Sequence, residues 1–138
     1  MSYQKLMIVG NLGRDPEMRY LESGQAVTNF NLASNRQYTA GNGERVKETT
    51  WFRVTVWGRQ AETCNEYLRS GSQVLIEGRL NPDRETGGPR VYQRNDGGYG
   101  SSYEVTAERV VFLTRAGAGG PYDDNQGAPA MDDDEIPF

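Results

Sequence analysis

Apolar and polar positions alternate, or run together, in five separate stretches of the chain, and only one stretch has helical spacing. Residues 5–12 form an apolar, strand-like run, Lys5-Leu-Met-Ile-Val-Gly-Asn-Leu12, that Gly13 ends. Residues 26–34 alternate, with Ala26, Thr28, Phe30 and Leu32 on one side and Val27, Asn29 and Asn31 on the other, the period of a half-buried strand. Residues 49–58 alternate as well, with Phe52, Val54 and Val56 on one face and Trp51, Arg53, Thr55 and Trp57 on the other. In residues 59–70, Ala61, Cys64, Tyr67 and Leu68 fall on one helical stripe, and Gly71 supplies a left-handed stop. Cys64 therefore reads as a small packing residue. Residues 73–80 and 103–113 are two further β-rich runs.

The predicted order is β-β-β-α-β-β, an all-β class with one small helix. A helix between the third and fourth of five strands is the order of the OB-fold, a Greek-key barrel that binds oligonucleotides or oligosaccharides on its second and third strands and adjacent loops. Other small mixed β proteins share this order. Two long connections, residues 35–47 and 81–102, are predicted as loops and exceed ordinary hairpin turns.

The third strand carries the chemistry. A base in a single strand exposes a π-face, and an indole laid against it recovers about 1–3 kcal/mol without reading sequence. Trp51 and Trp57 share a face, separated by about 20 Å at roughly 3.3 Å per residue, so they span several nucleotides. Between them Arg53 and Thr55 reach phosphate or a base edge, and Arg59 extends the line. The competing reading puts both Trp residues in a core. Phe52, Val54 and Val56 already supply a packing face, however, and Arg53 between two indoles makes poor core. Tyr38 with Arg36 in the first loop, and Tyr92 with Arg90 and Arg94 in the second, repeat the pairing of aromatic and base. The second loop sets Arg84, Arg90 and Arg94 against Asp83, Glu85 and Asp96, so stacking outweighs attraction there.

Composition narrows the class. With no histidine, the chain has no Ser-His-Asp or Cys-His site and no His-ligated metal, and its one cysteine builds neither an internal disulfide nor a Cys cluster. No acid, base and metal ligands gather into a catalytic constellation, so neither enzyme activity, nor a cofactor, nor a metal is expected. No run approaches the roughly 18 apolar residues of a membrane span, and residues 1–10 lack a secretory pattern, so a soluble cytoplasmic protein is expected.

A net charge of −4 argues against a nucleic-acid partner until it is placed along the chain. Residues 1–115 hold all 15 Lys and Arg and 13 acids, a balance of +2, whereas residues 116–138 hold six acids and no base, −6. The segment 116–130 is rich in Gly, Ala, Pro and acids, so a disordered linker is expected after a domain of residues 1–115. The last residues, Asp132, Asp133, Asp134, Glu135, Ile136, Pro137 and Phe138, set four acids before an apolar end. A merely solvating tail has no use for Ile136 and Phe138. Residues 131–138 read as a linear motif in which Phe138 enters a pocket and the acids steer.

Four segments carry a family resemblance: Val9-Gly-Asn-Leu-Gly-Arg-Asp-Pro-Glu17 with Arg19-Tyr20, Trp51-Phe-Arg-Val-Thr-Val-Trp-Gly58, Glu66-Tyr-Leu-Arg-Ser-Gly-Ser-Gln-Val-Leu-Ile-Glu-Gly78, and the terminal Asp-Asp-Asp-Glu-Ile-Pro-Phe. The chain resembles the bacterial single-stranded DNA-binding proteins. The resemblance implies an OB-fold homotetramer that coats single-stranded DNA, associated with the nucleoid in the cytoplasm. Its acidic tip would recruit replication, recombination and repair proteins. The stacking aromatics of the family match at Trp51, Trp57 and Tyr38, and the second loop offers Tyr92. The same matching gives Lys5, Arg53 and Arg59 as basic contacts. The chain departs from the family's pattern at Phe52, where the best-known members have a His near a subunit contact. It departs again in the second loop, which lacks the usual Trp. The linker of residues 117–130 is short, with an r.m.s. span of about 20 Å as a flexible chain. An RNA-directed or carbohydrate-directed OB module, or an interaction adaptor built on the acidic tip, are the alternatives.

Overall fold

The computed structural model describes residues 1–114, so the linker and the motif at residues 131–138 lie outside the described residues. Seven strands and one helix follow in the order β1 (Leu6–Leu12), β2 (Glu17–Tyr20), β3 (Ala26–Thr39), β4 (Arg45–Trp57), α1 (Arg59–Tyr67), β5 (Gln73–Asn81), β6 (Arg90–Gln93) and β7 (Tyr99–Phe112). Five of them close a barrel. β1 runs antiparallel to β5, β5 to β7 and β3 to β4, while β4 and β7 are parallel. The circuit is completed where β1 meets β3 at Asn11↔Ala33 and Leu12↔Leu32. With α1 between the third and fourth barrel strands, this is the expected OB order.

The predicted inward positions are the core: Ala26, Phe30 and Leu32 of β3, and Val54 and Val56 of β4, pack with Ile8, Val74, Ile76 and Val105. Ala61, Cys64 and Leu68 turn fully inward from α1 and its C-cap, and the buried Thr28 hydroxyl donates to the Ala61 carbonyl at 2.7 Å. Burial disfavours the Cys64 thiolate and pushes its pKa up to about 12.

Four expectations are corrected. The segment 35–47 is a projecting two-stranded ribbon, paired from Asn35↔Thr49 to Thr39↔Arg45, and only the turn closed by Ala40 N–H to Glu44 O stands outside the ladder. Much of the ribbon's surface is exposed, so no apolar alternation announces it. The segment 81–102 contains a second hairpin in which β6 pairs with the start of β7, from Arg90↔Ser102 to Gln93↔Tyr99. α1 ends at Tyr67, and Gly71, with φ of +90°, serves the next turn, its N–H donating to Leu12 O at 2.8 Å. Tyr67 stays exposed, its ring 6.3 Å from that of Phe112. The additional β2 carries one half-buried side chain, Met18, and gives no periodic signal.

Candidate nucleic-acid interface

The outer face of β4 follows from the alternation. Val54 and Val56 fill the barrel, so Trp51, Arg53, Thr55 and Trp57 face outward opposite Ala33, Asn31, Asn29 and Val27 of β3. Trp51 is 53% exposed and Trp57 40%, unusual for side chains of this size. Neither is core. Phe52, on the inner face, is half-buried, with its ring 5.9 Å from that of Tyr103.

The exposed face is built on a polar chain. Arg19 donates to Asn29 Oδ1 at 2.9 Å, and Asn29 Nδ2 donates to Thr55 Oγ1 at 2.8 Å. Thr55 Oγ1 thereby acts as an acceptor, which leaves its own hydroxyl proton available to donate. Trp51 lies against the backbone of Gly13: a Cβ there would stand 2.7 Å from Cζ3 of the indole.

The second hairpin folds toward this face. Trp51, Arg53, Arg90, Tyr92, Ser102 and Glu104 line one cleft of about 540 Å³, together with Asn31. The parallel pairing of β4 with β7 sets Glu104 beside Arg53, with Oε1 4.0 Å from Nε. Tyr92 has its own glycine seat, since a Cβ on Gly100 would meet the ring at 2.8 Å from Cζ. The two aromatics and two guanidinium groups give this cleft both a stacking surface and phosphate donors.

Other predicted residues lie elsewhere. Tyr38 is on the β3–β4 ribbon, its ring 4.6 Å beneath the guanidinium of Arg36, which also pairs with Glu48 at 3.2 Å. Arg59 is exposed at the start of α1. Lys5 is set apart from the cleft: its ammonium bonds Glu108 at 3.4 Å and stands 3.6 Å from Glu77, on β7 and β5. The hydrogen bond to Glu108 raises its pKa. Arg94 forms a local pair with Asp96 across the turn.

Sequence reasoning missed Gly13, Gly100, Asn29, Asn31, Ser102 and Glu104. Their signal lies in strand register, which brings positions distant in sequence onto one face. Among the described residues, no three His, Cys, Asp or Glu side chains gather at metal-binding range, and no helix is long and apolar enough to cross a membrane.

Residues 3–113 match the Single-strand binding protein family. The chain belongs to that family. Family members are binding proteins, not enzymes. A single-stranded DNA-binding protein of Neisseria meningitidis is 35% identical over 130 residues, 92% of this chain and 71% of that protein. One from Helicobacter hepaticus is 40% identical over 111 residues, 80% of this chain and 61% of that protein. Among solved structures, the Plasmodium falciparum SSB in complex with ssDNA superposes with a TM-score of 0.67 at 26% identity, covering 83% of this chain and 97% of that one. A deletion mutant of the Thermus aquaticus single-stranded DNA binding protein gives 0.61 at 31% identity, over 83% of this chain and 51% of that one. The single-strand binding fold is thus shared across most of the described residues.

Proposed function

We propose that the chain binds and protects single-stranded DNA without strong sequence preference. Bases stack on Trp51, Trp57, Tyr92 and Tyr38; Arg90, Arg59 and Arg36 meet the phosphates, and Arg53 and Thr55 reach phosphate or a base edge. The observation that carries this reading is the exposed Trp51 opening onto a cleft that also holds Arg53, Arg90 and Tyr92. Family membership and the ssDNA-bound Plasmodium neighbour support it. Lys5, already held by two carboxylates, takes no part.

The assembly is a homotetramer, for which exposed Met7 on β1 and Leu80 on β5 offer apolar contact surface. Residues Asp132 to Phe138 recruit replication, recombination and repair proteins, and the protein works on cytoplasmic, nucleoid DNA.

Competition tests the reading. Labelled oligo-dT should be displaced by unlabelled single-stranded DNA and hardly by duplex, with affinity falling with salt at a logarithmic slope of about −0.7 per neutralised phosphate. Equal displacement by duplex, or stronger displacement by RNA of equal length, would overturn it. Removing residues 131–138 should abolish partner binding and leave DNA binding intact.

A further inference from the structure

The cleft contains a carboxylate, which a site made only for phosphate would exclude. Glu104 is 18% exposed and lines the same cleft as Trp51, Arg53 and Tyr92. Its hydrogen bonding is incomplete. Oε2 accepts from Ser102 Oγ at 2.6 Å, but the approach of Arg53 to Oε1 is 4.0 Å, too long for a hydrogen bond. Among the described residues Oε1 has no other hydrogen-bond partner. A carboxylate and a guanidinium thus stand side by side on neighbouring strands, beside an indole face.

Resting on the proposed single-strand binding, we infer that Glu104 and Arg53 together read the Watson–Crick edge of a base stacked in this cleft. They favour amino-bearing bases, cytosine foremost, over thymine. Across the cleft they present an acceptor, Oε1, beside a group of donors, the pattern that guanine offers to cytosine. Cytosine presents its N4 amino donor next to the acceptors N3 and O2, so the amino group meets Glu104 while Arg53 donates to the ring. Adenine's N6 amino group and N1 repeat the donor–acceptor order. Thymine in the same pose places its O4 acceptor against the carboxylate, and its one donor on this edge, N3–H, lies where Arg53 donates. Asn31, at the same cleft and cross-strand from Arg53, supplies a further amide for the edge. Phosphates are turned away from Glu104 toward Arg90, which fixes the orientation of the strand in the cleft.

The test compares oligo-dC with oligo-dT of equal length, because both stack weakly on themselves, on the wild-type chain and on Glu104→Gln. Backbone flexibility and stacking set the absolute order of the two oligomers, so the quantity read is the ratio of their dissociation constants. The variant amide both accepts and donates. Glu104→Gln should therefore bind both oligomers, more tightly because an anion is gone, with the ratio shifted against dC by about fivefold, the low end of discrimination by a base-edge pair. A second comparison needs no variant: oligomers of 2-pyrimidinone, which has hydrogen in place of the amino group, should bind the wild-type chain about fivefold more weakly than oligo-dC. If both oligomers bind but the ratio is unchanged and 2-pyrimidinone equals cytosine, the edge reading is overturned and single-strand binding stands. If the wild-type chain binds neither oligomer, both fall.

Discussion

The indole of Trp51 rests on Gly13: a Cβ at that glycine would stand 2.7 Å from Cζ3 and 2.9 Å from Cη2. Gly13 is itself held, its N–H donating to Asn31 O at 3.0 Å on the strand that pairs with β4. The glycine is a seat that sets the tilt of the exposed ring. Gly13→Ala should displace the indole and weaken oligo-dT binding about fivefold or more, the loss of roughly one stacked base. The Ala substitution should have no further effect in a Trp51→Ala background, as a double-mutant cycle on oligo-dT affinity would reveal. Equal effects in both backgrounds would remove Gly13 from this role.

On the ribbon, Glu48 holds Arg36 over the ring of Tyr38. The pair is exposed, so Glu48→Ala should change stability by no more than about 1 kcal/mol. It frees a guanidinium for phosphate, however. The salt dependence of DNA binding should steepen by up to about 0.7 in logarithmic slope, as the phosphate contact of Arg36 is completed once its competing carboxylate is gone. Titrations at four or five salt concentrations measure it.

Cys64 is buried, and its pKa is pushed up to about 12 from an ordinary 9.0. A group whose folded pKa is raised contributes stability that is complete below the unfolded value and lost as pH climbs toward the folded one. The wild-type chain should therefore lose stability between about pH 9 and pH 12 relative to Cys64→Ala, as paired denaturant titrations across that range would report. At pH 8 the thiol should react with a disulfide reagent only as fast as the barrel unfolds.

Phe30 is 4% exposed and packs at the centre of the barrel core. Phe30→Ala should cost about 3–5 kcal/mol through lost burial and the cavity left behind. Chemical denaturation measures this directly, and a loss below about 1 kcal/mol would contradict the core assignment.

Where one face of an element is wet and the other dry, the sequence was enough. Phe52, Val54 and Val56 against Trp51, Arg53 and Trp57 revealed β4 and its outer face together, and the same alternation placed Phe30 and Leu32 in the core. The ribbon of residues 35–39 and 45–48 has the sequence character of a loop because its polar side chains meet solvent and its order comes from backbone bonds and cross-strand contacts such as Thr49 to Asn35. The hairpin of β6 was hidden for the same reason. Its Tyr92 was nevertheless placed beside a basic cluster, and the fold brings it to the cleft of Trp51. Glu104 had no local signal: an acid is not expected in a site for an anionic ligand, and its neighbour Arg53 is evident only from the parallel register of β4 and β7. The carboxylate partners of Lys5 were equally hidden, since Glu77 on β5 and Glu108 on β7 are far off in sequence.

The central claim is that the outer face of β4 binds single strands by stacking. Fluorescence anisotropy of a labelled oligo-dT, titrated with the wild-type chain and with a Trp51→Ala, Trp57→Ala double variant of unchanged fold, tests it most directly. Two lost stacking partners at about 1–3 kcal/mol each predict at least about 30-fold weaker binding by the variant. Affinities within twofold of each other would contradict the account.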